Sequence, residues 1–254
     1  MGEARTITSG TLRLDGYLAR PLPSSAKGAG RYGLVLCHGF PLESEGAGRA
    51  GQSFPHLADR MAADAGWVTL SFNFRGTGAS QGDFSLAGWR SDVTAAVDDL
   101  LTVEGVEAAW LCGFAAGGAL CLCAAGDDPR VRGVATFSAP ADFGEWASDP
   151  RKLLALARSI GVVHTPGFPS DMDSWARELR EIRPLAAVGK IPPRGLIIVH
   201  GSSDESVPML DARALADAAD GEVELRILAA AGHGLRHDPR AIAILLGWLD
   251  RQQL

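Results

Sequence analysis

Short apolar runs alternate with amphipathic stretches along most of the chain. Residues 33–38 and 195–200 have the length and composition of strands buried on both faces, and residues 88–102 and 239–251 have helical spacing. Strands that alternate with helices are typical of a mostly parallel sheet covered by helices. The pattern therefore predicts an α/β fold in one domain that spans residues 1–254.

The strand–helix rhythm breaks over residues 139–190. This segment contains two tryptophans, several prolines and one stretch of helical spacing at 174–183. It is predicted to be a small helical cap that is inserted into the domain and covers one end of the sheet. Near the start of the chain, residues 5–21 indicate one or two antiparallel edge strands, and residues 24–31 indicate a linker.

The composition excludes several classes of protein. The 254 residues are 46% hydrophobic and 21% charged, and the net charge of −6 is spread without runs of one sign, so neither nucleic acid nor membrane is an expected partner. No signal-peptide core and no apolar run of about 18 residues occurs, so a cytoplasmic location is expected. The four cysteines lack metal-site spacing, and neither a metal nor another cofactor is expected. The oligomeric state is not readable from this sequence.

Distinctive motifs stand directly after the predicted strands. In chain order they are HGF at 38–40, NFRGTGAS at 73–80, GFAAG at 113–117, HGSSDESVP at 200–208 and AGHG at 231–234. Ligands of open α/β sheets bind at the carboxyl ends of the strands, where these motifs would meet. The set resembles the α/β-hydrolase family in both order and position, and the resemblance covers nearly the whole chain.

The resemblance implies a nucleophile at the centre of the GFAAG motif. In the family this motif is Gly-x-Ser-x-Gly, a sharp strand-to-helix turn that exposes the serine hydroxyl. Gly113 and Gly117 match the two glycines, but Ala115 stands where the serine is expected. An alanine side chain has no lone pair, so no acyl-enzyme can form on it. Losing such a serine costs about 10⁶-fold in turnover, and the chain is expected to be inactive or nearly so.

The other catalytic parts of the family match residues in the order nucleophile, acid, histidine. By resemblance, Asp204 orients His233, and His233 is the general base. The oxyanion hole is expected from the backbone N–H groups of Phe40 and Ala116. The Ser-Ser-Asp sequence is also typical of turns, so Asp204 has a plainer interpretation as a turn residue. His237 competes with His233, although the AGHG motif matches the family's histidine loop better.

Three further residues are candidates for substrate contact. His38 stands beside the expected oxyanion hole, and Trp146 and His164 lie in the 139–190 insertion. Each also has a plainer interpretation. His38 suits a hydrogen bond that orients its own loop, and the other two suit packing. A small-molecule substrate or ligand is the expected partner in either case.

Three explanations for Ala115 remain open at this stage. The alanine was introduced to trap a ligand in an otherwise active esterase-like or peptidase-like serine hydrolase, or the chain is a natural pseudoenzyme that binds a small molecule or partner in the old active-site pocket. Alternatively, His233 and Asp204 act as a base without a covalent step. The elbow holds its central residue in a conformation that costs about 1–3 kcal/mol. Without a nucleophile this strain brings no local benefit, yet Gly113, Gly117, Asp204 and His233 are all present. The sequence therefore favours a serine that was engineered away or recently lost.

Overall fold

The central sheet contains eight strands within the described residues. The structure is a computed structural model that describes residues 2–22, 31–41 and 46–253, so most of the predicted 24–31 linker lies outside it. The strands are β1 (Glu3–Ser9), β2 (Leu12–Ala19), β3 (Tyr32–Cys37), β4 (Val68–Phe72), β5 (Ala108–Phe114), β6 (Val131–Phe137), β7 (Gly195–Gly201) and β8 (Glu224–Leu228). Their order across the sheet is β1-β2-β4-β3-β5-β6-β7-β8.

The sheet is parallel from β3 to β8 and antiparallel at one edge. β1 pairs with β2, and β2 pairs with β4, in antiparallel fashion, so residues 5–21, where one or two antiparallel edge strands were expected, contain parts of two. The six remaining strands run in one direction. Their carboxyl ends therefore meet at one edge of the sheet. That edge carries the motifs that follow β3, β5 and β7.

Helices cover both faces of the sheet, as predicted. They are α1 (Phe54–Ala65), α2 (Leu86–Leu101), α3 (Ala116–Asp127), α4 (Gly144–Ser148), α5 (Pro150–Ser159), α6 (Met172–Glu181), α7 (Pro184–Ala187), α8 (Met209–Ala218) and α9 (Pro239–Arg251). One apolar core packs α2, α3 and α8 against the sheet, and a second packs α1 and α9 on the opposite face. The α/β fold class is therefore confirmed.

Four of these helices lie between β6 and β7, in the segment predicted to be a cap. α6 matches the helical spacing seen over 174–183, whereas α4, α5 and α7 were not predicted individually. The start of α5 has a visible sequence signal, because Asp149 accepts a hydrogen bond from the Lys152 N–H and Pro150 occupies the first turn. Within the described parts of the chain, no helix combines the length and apolarity needed to cross a bilayer.

A buried ion pair ties the loop after β4 to α2. The Arg75 Nη2 lies 2.6 Å from Asp92 Oδ1, and the Arg75 backbone N–H also donates to this carboxylate, at 3.0 Å. The Asp92 side chain is fully buried. The Arg75 carbonyl accepts a hydrogen bond from the Trp89 indole, so one residue joins the loop to two positions of the helix.

Asp92→Ala is expected to lower the free energy of unfolding by about 3–5 kcal/mol, because it leaves a partly buried guanidinium without its partner. The matched control is Asp98→Ala, on the same helix. Asp98 pairs with Arg130 at 2.7 Å, but both side chains are about half exposed. Its loss should cost about 1 kcal/mol or less. Urea unfolding of both variants checks this difference, and equal losses would contradict it.

Candidate active site

Ala115 lies at a sharp turn between the centre of the sheet and a helix. It follows β5 directly and precedes α3, with φ 48° and ψ −126°. A side chain in this region of backbone space is strained. The Ala115 N–H donates to the Phe137 carbonyl at 2.8 Å, and the Ala115 carbonyl accepts from the Gly118 N–H at 2.9 Å, so hydrogen bonds hold the turn on both sides.

Close backbone contacts explain the two glycines that flank the turn. A Cβ at Gly113 would lie 2.5 Å from the Gly118 Cα, and a Cβ at Gly117 would lie 2.2 Å from the His38 carbonyl oxygen. Both obstacles are backbone atoms, which cannot move aside as a flexible side chain would. The GFAAG spacing therefore lets α3 approach β3 and β5 closely enough to raise residue 115 above the strand ends.

His233 and Asp204 form a hydrogen-bonded pair at the same edge of the sheet. The His233 Nδ1 lies 3.0 Å from Asp204 Oδ2 and 3.1 Å from Oδ1. Because a carboxylate can only accept, Nδ1 carries the proton and Nε2 is left as the basic nitrogen. The His233 side chain is 28% exposed and the Asp204 side chain is fully buried. The imidazole can therefore meet a ligand, whereas the carboxylate can only support the ring.

The environment of Asp204 favours its ionised form. Burial by itself raises the pKa of this carboxyl, but hydrogen bonds from His233 and from the Val207 backbone N–H outweigh burial and hold the pKa well below its ordinary value. The Ser206 N–H also donates to Oδ1, at 2.9 Å. Asp204 thus organises its own turn as well as facing His233.

Two backbone N–H groups beside Ala115 are available as donors. Within residues 31–41 and 46–253, the amides of Phe40 and Ala116 donate to no protein acceptor. Ala116 is the first residue of α3, where the helix dipole adds partial positive charge. A Cβ built on Gly39 would lie 3.0 Å from the Ala115 methyl, so the loop that carries Phe40 passes next to the turn. These two amides are the donors expected to form an oxyanion hole.

Two cavities share Ala115 and His233 as wall residues. The first, here named the Trp146 cavity, has a volume of about 190 Å³ and is also lined by Phe40, Asp142, Phe143, Glu145 and Trp146. The second, the Arg236 cavity, has a volume of about 210 Å³ and is also lined by Phe114, Leu235, Arg236 and His237. A ligand at Ala115 would therefore have room for two groups, one in each cavity.

Comparisons with known proteins agree with this geometry. The family model described as alpha/beta hydrolase fold matches residues 33–158, which include the turn at Ala115. The chain belongs to the α/β-hydrolase family. A monoacylglycerol lipase of Mycolicibacterium smegmatis is 25% identical to this α/β-hydrolase, and the match covers 84% of each chain.

Solved structures extend the likeness of fold to the full length of this α/β-hydrolase. Est1E from Butyrivibrio proteoclasticus with bound ferulic acid superposes with a TM-score of 0.71 at 18% identity, and the match covers 98% of each chain. GrgF from Penicillium sp. sh18 superposes with a TM-score of 0.75 at 20% identity over 99% of this chain and 98% of its own. The hydrolase fold expected from the strand-end motifs is thereby confirmed.

His38 lies below the site, and this placement corrects the expectation that it contacts substrate. Its side chain is buried and is not among the residues that line either cavity. Nδ1 donates to the Gly39 carbonyl at 2.7 Å, and Nε2 accepts from the Phe74 N–H at 3.2 Å. A ring that donates with one nitrogen and accepts with the other is neutral. His38 therefore orients the loop that carries Phe40, which was its plainer interpretation.

Burial makes His38 a source of pH-dependent stability. Desolvation lowers its pKa from 6.5 to about 4. Between these two values the unfolded chain binds a proton that the folded chain does not, so the free energy of unfolding falls as the pH falls. We expect a loss of about 3 kcal/mol from this group between pH 7 and pH 4. Urea unfolding over this range should show a shallower dependence in His38→Gln, and His56→Gln, at an exposed position, is the control. Equal slopes in His38→Gln and the parent would contradict the assignment.

The two predicted cap residues have different surroundings. Trp146 lines the Trp146 cavity together with Ala115, as its predicted substrate role requires. His164 is 58% exposed, lies 3.5 Å from Asp83 and is not among the lining residues of either cavity. The backbone N–H of His164 also donates to Asp83, so this carboxylate anchors the loop to the segment before α2. The structure therefore assigns His164 to loop anchoring and corrects its predicted contact with substrate.

Several cavity residues were missed by sequence reasoning. Phe143 and Glu145 shortly precede Trp146 in the chain, and Ser206 lies between Asp204 and the Val-Pro pair that precedes α8. Proximity to predicted residues was therefore the available signal. Arg236 lies in the short helical turn after His233 and lines the second cavity. Its position depends on how that turn folds back, which no motif indicates.

Proposed function

We propose that this α/β-hydrolase has the site of a carboxyl-ester serine hydrolase and that Ala115 keeps the site silent or nearly so. The observation that carries the proposal is the combination of a strained turn at residue 115, a His233–Asp204 pair and two unengaged amides around the same cavities. These are the parts of acyl transfer through a covalent intermediate, apart from the attacking oxygen.

Esters are favoured as the substrate class by the similar proteins. The curated relative is a monoacylglycerol lipase, and one similar structure holds ferulic acid, a carboxylic acid. The two cavities beside Ala115 would take the acyl group and the alcohol of such an ester. The direct test is the Ala115→Ser variant, assayed with short p-nitrophenyl esters, thioesters and amides. An inactive but folded variant on the whole panel would contradict the proposal.

A second candidate is small-molecule binding without turnover, and the open cavities beside Ala115 favour it. In that case the present chain is a pseudoenzyme that holds a ligand where the substrate would lie. Its affinity for that ligand would be the same in the parent and in Ala115→Ser. Thermal-shift measurements with acyl compounds, compared with ester turnover by the variant, separate this function from the first.

A further inference from the structure

We propose that the Trp146 cavity binds an ammonium group, so that the site takes esters or ligands that carry a quaternary or protonated amine. The proposal deepens the proposed function, on which it rests only for the position of the ester beside Ala115. The recognition itself comes from the cavity wall and is present in the chain as it stands, with alanine at 115.

The first support is an aromatic wall. The Trp146 ring centroid lies 5.1 Å from that of Phe40 and 5.2 Å from that of Phe143. All three residues line the cavity. The face of an aromatic ring is negative, and it attracts ammonium groups that have shed part of their water. Three neighbouring rings around one cavity thus suit a cation with an apolar surface, such as a trimethylammonium group.

The second support is the charge of the rim. Asp142 and Glu145 line the same cavity, and no lysine or arginine does so within the described residues. Neither carboxylate forms an ion pair with any part of the chain that the structure describes. Both residues are exposed at the edge of the cavity, so they attract a cation towards its opening, and dissolved salt screens this attraction.

The third support is the contrast between the two cavities. Among residues 31–41 and 46–253, the charged or basic side chains that line the Arg236 cavity include Arg236 and His237, whereas Asp142 and Glu145 line the Trp146 cavity. A substrate with a cationic end is therefore directed into the Trp146 cavity and its uncharged end into the Arg236 cavity. The same contrast disfavours an anionic group in the Trp146 cavity. Charge therefore sets the direction in which an asymmetric ester lies across Ala115.

Of the two carboxylates, Glu145 is expected to contribute more. Asp142 also borders a neighbouring groove that contains Arg180 and Arg183, and these cations offset part of its field. Its Oδ1 already accepts a hydrogen bond from the Gly144 N–H, at 2.7 Å. Glu145 lines the Trp146 cavity but not the neighbouring groove, and it directly precedes Trp146 in α4. Glu145→Gln is therefore the more informative substitution.

The test compares two acetate esters of nearly equal shape, acetylcholine and its uncharged analogue 3,3-dimethylbutyl acetate. Binding of each ester to the parent chain is measured by calorimetry and by the change in tryptophan fluorescence. Neither measurement requires turnover. We expect acetylcholine to bind at least about tenfold more tightly than the analogue. Glu145→Gln should remove most of this preference, Asp142→Asn less of it, and added salt should weaken it.

The control is Glu104→Gln, at an exposed carboxylate in the turn between α2 and β5. It should leave the preference unchanged. Equal affinity for both esters, no binding of either, or a preference unchanged in Glu145→Gln would overturn the proposal. An Ala115→Ser variant that hydrolyses both esters equally would sustain the proposed function while refuting the ammonium site. If Ala115→Ser is inactive on every ester while the parent chain still prefers acetylcholine, the ammonium site is supported and the proposed function is refuted.

Discussion

Ala115→Ser should convert this chain into an active esterase. The substitution adds one oxygen at a turn that is already held in the required backbone conformation, with φ 48° at residue 115. His233 offers a basic nitrogen because Asp204 fixes its other nitrogen as the donor. Removing the serine of a comparable site costs about 10⁶-fold in turnover, so a gain approaching this size is expected on short p-nitrophenyl esters.

Two controls isolate the position of the new hydroxyl. Ala116→Ser places the same group one residue later, in the first turn of α3, and should leave the chain silent. Adding His233→Ala to Ala115→Ser should remove most of the gained activity, because the hydroxyl then lacks its general base. If the parent already turns over esters and His233→Ala abolishes that activity, His233 and Asp204 act on water and no covalent step is needed.

Asp204→Asn, made together with Ala115→Ser, should reduce turnover by about 10⁴-fold. An amide side chain can donate to His233 Nδ1, which stabilises the wrong tautomer and removes the basic nitrogen from the side that faces the substrate. KM should change little, because the Asp204 side chain is fully buried and has no path to a ligand. Steady-state kinetics on one ester give both quantities.

Asp217→Asn, at an exposed position in α8, is the matched control and should leave turnover close to that of Ala115→Ser alone. Unfolding curves of both double variants show whether the loss reflects catalysis or folding. A turnover that survives Asp204→Asn would mean that the His233 ring is oriented by other contacts, and the pair would then be structural.

Local signals made much of the site readable from sequence. The turn at Ala115 was predictable because Gly113 and Gly117 are required by backbone contacts, and such requirements leave the same spacing wherever a strand and helix approach this closely. The resemblance to the α/β-hydrolase family predicted that Asp204 pairs with His233, and both residues follow strands that end at one edge of the parallel sheet.

Other features of the site could not be predicted from the sequence, and two of them depend on contacts with distant segments. His164 is held by Asp83, which is 81 residues away in the chain, so nothing near His164 shows that it faces away from the cavities. His38 is buried because the rings of Phe74 and Trp89 pack against it, edge to face. Ser138 adopts a φ of 52° at the end of β6, although no glycine or turn motif marks that position. Tertiary contacts explain the positions of His164 and His38.

The most direct measurement is covalent labelling of Ala115→Ser with an alkyl fluorophosphonate, followed by mass spectrometry of the intact protein and of its peptides. A phosphonyl group transfers only to a hydroxyl that a base activates and that donors of an oxyanion hole serve. The structure predicts one phosphonyl group per chain, located at position 115, with none on the parent and a greatly slowed reaction when His233→Ala is added. A folded Ala115→Ser variant that stays unlabelled, or that is labelled at another residue, would contradict the placement of residue 115 as the nucleophile position.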